Sequence, residues 1–149
     1  MAVRVFVSST WLDLQAEREA VEQALRRLAD AEYAGMEYFG SRPDAPRDVC
    51  LQEVDRSDVY VGIIAGRYGS LDPRTGYSMT ELEYRRARDR DLACLIYIKS
   101  DKVPELSKSA ESDPIKTEKL ESFRTTLVRD HLVSYFEDAD KLATSVAAD

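Results

Sequence analysis

Residues 58–65, Asp-Val-Tyr-Val-Gly-Ile-Ile-Ala, run almost without an interior polar side chain. A strand wetted on one face alternates apolar and polar residues. One that is apolar on both sides has to be covered on both sides, which is the condition of an interior strand in a parallel sheet flanked by helices. Residues 93–98, Ala-Cys-Leu-Ile-Tyr-Ile, make a second such strand, and a helical stretch lies between the two. Two doubly covered strands joined through a helix restrict the chain to the α/β class.

The remaining elements fit that frame. Val3, Val5 and Val7 place a β-branched strand at residues 3–7, and Ser8, Ser9 and Thr10 form the turn after it. Thr10 with Asp13 reads as a capping box for a helix over 11–29, which carries Leu14, Val21, Leu25 and Leu28 on one face. Met36-Glu37-Tyr38-Phe39 is the expected second strand, followed by a Pro/Gly/Ser loop over 40–46 and a short helix over 47–56. Beyond the fourth strand, residues 99–112 are polar. Asp113 and Pro114 then supply an N-cap and a proline at the first helical position for a helix through 129. A short strand at 132–136 and a closing helix over 138–148 complete five strand–helix units in 149 residues. The expectation is one flavodoxin-like, doubly wound domain over 1–149, with parallel strand order 2-1-3-4-5 and helices on both faces.

Several chemistries are set aside by what the chain lacks. It has no phosphate-loop signature and no Gly-x-Gly-x-x-Gly after the first strand. The single histidine, His131, is expected to be structural or a helix C-terminal partner, so neither a catalytic triad nor a histidine-based metal site is expected. A formal charge of −7 argues against nucleic acid as a partner. The cluster Arg85, Arg86, Arg88 and Arg90 reads as a solvated helix face, with Arg85 paired to Glu81. Cys50 and Cys94 lack metal or redox spacing and read as reduced core residues, which favours the cytoplasm. No apolar run is long enough for a membrane span.

The distinctive residues gather at the carboxyl ends of the strands, where ligands sit in this architecture. Ser78 with Glu81 reads as a capping box opening the third helix, which gives Glu81 a structural role on an exposed surface, worth at most about 1 kcal/mol. Thr80, Glu83, Tyr84 and Ala87 share the inward face of that helix, so Glu83 is either a buried cap partner or a working acid. Ser8, Ser9 and Thr10 suit an anion or a ribose hydroxyl, or are turn and cap chemistry alone. Trp11 and Tyr68 would stack on a base or form the edge of the core. Arg42 and Arg67 would meet a phosphate or keep their loops solvated. Gly66 and Gly69 would supply positive φ angles or clearance for a ligand. A lone carboxylate without metal ligands suits chemistry through an oxocarbenium-like state. The opposite face of the helix, with Met79, Leu82 and Arg86, would serve as a small interface for other copies of the domain.

The run Val5-Phe6-Val7-Ser8-Ser9-Thr10-Trp11-x-Asp13-Leu14-x-x-Glu17-Arg18, then Ser57–Gly62, Gly66-Arg67-Tyr68-Gly69 and Ser78-x-Thr80-Glu81-x-Glu83-Tyr84, resembles the domain of unknown function (DUF) family 4062 over almost the whole chain. That resemblance implies a TIR-like domain, an N-terminal module excised from a larger protein with a NACHT or related STAND NTPase and repeats. TIR domains and nucleoside deoxyribosyltransferases share the architecture and use a glutamate three residues after a cysteine or a threonine. Thr80 and Glu83 match the spacing, and Glu83 is the carried-over catalytic residue. Met79 and Thr80 stand where a TIR domain has tryptophan and cysteine. The implied activity is NAD glycohydrolysis, with NAD as substrate, no bound cofactor, and activation by self-association in signalling or immunity. Alternatives are a non-catalytic interaction module and a deoxyribosyltransferase-like enzyme.

Overall fold

The strand nearest the N-terminus divides the molecule into two layers. The computed structural model describes residues 3–10, 14–28, 31–35, 46–68, 71–100 and 113–148. Its elements are β1 (Val3–Ser9), α1 (Gln15–Arg26), β2 (Ala31–Gly35), α2 (Pro46–Asp55), β3 (Val59–Ile64), α3 (Met79–Asp89), β4 (Ala93–Lys99), α4 (Pro114–Asp130), β5 (Ser134–Phe136) and α5 (Ala139–Ala148). The five strands form one sheet in the order β2-β1-β3-β4-β5, and every pairing is parallel.

Alternation along the interior strands feeds both layers. On one side Val5, Val7, Val61, Ile63 and Tyr97 pack with Leu14, Val21 and Leu25 of the α1 segment and with Leu142 and Val146 of α5. On the other, Phe6, Tyr60, Ile64, Ile96 and Ile98 pack with Val54 of α2, Tyr84 and Ala87 of α3, and Leu120, Phe123 and Leu127 of α4. This two-sided burial is what the apolar runs of β3 and β4 require. Asp113 caps α4 by accepting from the Ile115 and Lys116 amides, with Pro114 opening the helix.

Three expected boundaries move. The second strand is Ala31–Gly35, paired from Val3↔Ala31 to Val7↔Gly35, rather than 36–39, which lies outside the described residues. An edge strand is ordered by its one ladder, and here Tyr33 is the buried anchor, so the segment shows little apolar pattern. Helix α1 starts at Gln15 with Leu14 at the cap and no side-chain cap bond, so Thr10 lies outside it. Leu28 falls beyond the last turn and is 39% exposed, off the buried face shared by Leu14, Val21 and Leu25. Finally, Ser8 and Ser9 belong to β1, where they pair with Gly62 and Ile63, instead of forming a turn. No helix among the described residues is long and apolar enough to cross a membrane.

Candidate functional site

Helix α3 is started by Ser78, whose hydroxyl accepts from the Glu81 amide at 3.1 Å. From that start, the helical period buries Thr80, Glu83, Tyr84 and Ala87 together. Glu83 is 3% exposed, and the Ser8 hydroxyl donates to its Oε1 at 2.6 Å from the last turn of the β1 pleat. The Cys50 thiol, on α2, and the Arg18 guanidinium, on α1, also act on this carboxylate. Burial pushes the Glu83 carboxyl up to about 7, while Ser8, Arg18 and Cys50 draw it back toward the ionised form. The same seclusion, reinforced by the Glu83 charge, raises Cys50 to about 12 and keeps it a thiol. The result is an acid that changes charge near neutrality inside a closed hydroxyl, thiol and carboxylate cluster.

The hydroxyl trio does not form one cradle. Successive strand residues face opposite sides, so Ser8 meets Glu83 in the α2–α3 layer while Ser9 faces α1. There Arg18, 1% exposed, donates to Ser9 Oγ at 2.8 Å, and its other nitrogen reaches the Val7 carbonyl and the Tyr33 hydroxyl, both at 3.4 Å. Ser9 in turn donates to the Thr10 carbonyl at 2.8 Å. Beside this network Lys99, at the end of β4, pairs with Glu17 of α1 at 3.0 Å, tying the sheet's carboxyl edge to the helix.

Glu81 departs from its expected place. It is 6% exposed rather than open to solvent, because its carboxylate accepts from the buried Tyr68 hydroxyl at 2.7 Å and from Arg85 Nε at 2.9 Å. Arg85 also lies 4.1 Å above the Tyr77 ring. Tyr68 is therefore fixed as a donor within the core and offers no face for stacking; burial and Glu81 push its hydroxyl up to about 12. Glu81→Ala is expected to cost about 2 kcal/mol, above the worth of a surface cap pair, since it takes a buried charged acceptor away from both the Tyr68 phenol and Arg85. Urea denaturation of the variant against the parent measures it.

The other expected binding residues fall as follows. Thr80 and Gly66 are buried and Arg67 is half-buried. Among the described glycines the positive φ falls at Gly76, at 77°, in the turn that leads into α3, and not at Gly66. Trp11, Arg42 and Gly69 lie outside the described residues. Met79, Leu82 and Arg86 are half-buried, and Arg86 and Arg90 both reach Asp55 at the end of α2. The arginine cluster is thus tied up within the domain at three of its four positions, Arg85 being held by Glu81. His131 caps α4 and shares a 2.7 Å hydrogen bond with the Tyr84 hydroxyl, and burial lowers its pKa. Among the described residues a cleft of about 290 Å³ opens between α3 and α4, lined by Tyr84, Arg85, Arg88, Phe123, Thr126 and Asp130, and Glu83 is not in its wall.

Sequence reasoning singled out Glu83 and Ser8 but not the other groups that govern the acid. Arg18 entered only as part of a quoted run, and Cys50 only as a core residue. Their approach to Glu83 depends on α1 and α2 docking against opposite faces of β1, which no local pattern encodes.

These features define a class: a flavodoxin-like α/β domain with a buried acid on the helix after its third strand, next to the end of its first. The chain belongs to the family described as domain of unknown function DUF4062, whose model matches residues 4–149. It is also 29% identical over 84 residues to telomerase protein component 1 of Mus musculus, a match that covers 48% of this chain and 3% of that protein.

Proposed function

We propose that this chain is a TIR-like effector or signalling domain that cleaves the N-glycosidic bond of NAD once copies assemble. The observation that carries the reading is Glu83: a carboxylate buried at the end of β1, bonded by Ser8, with its pKa raised to about 7. Packing alone gives little reason for such a group, since a buried ionisable side chain costs stability that an amide of the same size would not. In the proposed reaction the bond between the ribose C1′ and the nicotinamide nitrogen breaks, and its electron pair leaves with neutral nicotinamide. The Glu83 carboxylate stabilises the cationic sugar and steers a water onto C1′. The water's proton passes to the carboxylate, leaving ADP-ribose.

The seclusion of Glu83 supports an enzyme that is silent as an isolated domain and becomes competent on self-association; the proposed setting is a larger STAND NTPase protein of the cytoplasm. Enforced clustering of the chain on a multivalent scaffold, with nicotinamide release followed by chromatography, tests this. Release that appears only on clustering supports the reading. Clustered protein that leaves NAD and a panel of nucleosides and nucleotides intact ends it, whereas turnover of deoxynucleosides alone would favour the deoxyribosyltransferase-like alternative. The non-catalytic alternative, a homotypic interaction module, would instead lose assembly on Leu82→Arg while remaining folded.

A further inference from the structure

Tyr60 brings a hydroxyl into the same layer as Glu83, and its placement is enforced from three sides. Phe6, its register partner on β1, stacks on it with ring centres 6.5 Å apart and planes 13° apart. Tyr84 meets it edge-on at 6.0 Å. Gly62 lies under the ring: a Cβ at that position would stand 2.9 Å from Tyr60 Cε1 and 3.3 Å from its hydroxyl oxygen. Two residues on along β3, Gly62 is the residue paired with Ser8, so the missing side chain lets the phenol extend along the strand to the level of the Ser8–Glu83 bond.

That hydroxyl is wholly buried and makes no hydrogen bond within bonding geometry. Such groups are rare in folded proteins because leaving one unmade is costly. For packing alone phenylalanine would serve better. Ser8 of β1 acts on the phenol as a hydrogen-bonding group, and Glu83 and Tyr84 of α3 and Cys94 of β4 act on it by charge; those acting on Glu83 are Ser8, Arg18 of α1 and Cys50 of α2. Ser8 has one proton, which it gives to Glu83, and its oxygen can still accept a phenol proton.

We propose that Tyr60 is a positioning residue for Glu83: its hydroxyl, steered by Gly62, completes a Tyr60–Ser8–Glu83 hydrogen-bond chain that orients the carboxylate and tunes its hold on a proton. The chain runs in either direction. With Glu83 ionised, Tyr60 donates to Ser8 and Ser8 to the carboxylate; with Glu83 protonated, the acid donates to Ser8 and Ser8 to the phenol oxygen. Neither direction requires a net transfer of protons between residues. The proposal deepens the reading of Glu83 as a working acid, but it is tested on the carboxyl itself.

The experiment is a carbon-13 NMR titration of the Glu83 side-chain carboxyl in the intact 149-residue chain, assigned with Glu83→Gln. Tyr60→Phe is expected to raise the midpoint by about half a pH unit or more, since the chain to the ionised carboxylate is charge-assisted and loses more than the chain from the neutral acid. Its melting temperature is expected to change little, because the ring and its packing against Phe6 and Tyr84 are kept. Gly62→Ala, which pushes the ring aside and keeps the hydroxyl, should shift the midpoint the same way, and the double variant no further than the larger single effect. If Gly62→Ala does not fold, Tyr60→Phe decides alone. An unchanged midpoint in Tyr60→Phe overturns the proposal, and a full shift that persists in a Ser8→Ala background overturns the route through Ser8. Because NAD turnover is not the readout, failure of the glycohydrolase reading and failure of this chain are separately visible.

Discussion

Glu83→Gln is expected to remove nicotinamide release from the clustered protein, by about 10³-fold or more, while the far-ultraviolet spectrum and the cooperative unfolding transition are retained. The amide keeps the volume and accepts the Ser8 hydrogen bond through its carbonyl, so α3 has no reason to shift. What goes is the negative charge that a cationic sugar requires. Loss of release together with loss of folding would deprive the comparison of meaning for this variant. In that event Glu83→Asp, which keeps the charge and withdraws it by one methylene, should be folded and slowed. Retention of full release in a folded Glu83→Gln protein would remove Glu83 from the reaction.

The second expectation concerns stability and follows from the same acid. Glu83 has a folded pKa near 7, against 4.5 for the ordinary carboxyl. Below about 4.5 the group is neutral in both states and costs the fold nothing. As the pH rises past the unfolded value the unfolded chain ionises first, and the folded state loses stability until its own carboxyl ionises near 7; above that the loss is constant. The raised folded value thus means stability present at low pH and lost with rising pH, by about 3 kcal/mol in all. Other carboxylates impose their own slopes, so the quantity to measure is the difference between parent and Glu83→Gln in urea-derived stability at pH 5 and pH 8. The difference should grow in favour of the variant over that interval. A difference that does not vary with pH would show that Glu83 is not secluded in solution.

How much of this was legible depends on whether the deciding interaction is local. The two-sided burial of β3 and β4 is written in their own side chains, and so the class and the strand order follow from the sequence. The inward phase of α3 was equally open, since Ser78 fixes the first turn and the period does the rest. Strand β2 was not, because its order comes from the ladder to β1 and from one buried tyrosine rather than from any pattern in Ala-Glu-Tyr-Ala-Gly. Glu81 misled for a similar reason. The Ser78 cap is local and correct, since its hydroxyl accepts from the Glu81 amide, but the Glu81 carboxylate turns to Arg85 and to Tyr68, thirteen residues away across a turn, which buries it. At the site, the acid and its Ser8 partner were readable and the rest of the environment was not, since Arg18, Cys50 and Tyr60 reach it only after α1, α2 and β3 have packed.

The Ser8–Ser9–Thr10 run offers a hydroxyl at every consecutive position, and Ser8 and Ser9 face the two layers in turn. Sliding β1 forward by one residue would set Ser9 against Glu83 and Thr10 against Arg18, so the polar tip of the strand is chemically indifferent to its own alignment. Only the apolar half objects. The same slip would put Phe6 where Val5 packs and drop Ser8 into the α1 layer in place of Val7. The choice of which hydroxyl meets the acid is therefore delegated to a phenyl ring one step upstream on the same face. A substitution at Phe6 would disarrange the carboxylate's surroundings from a distance, through the Tyr60 ring it stacks on.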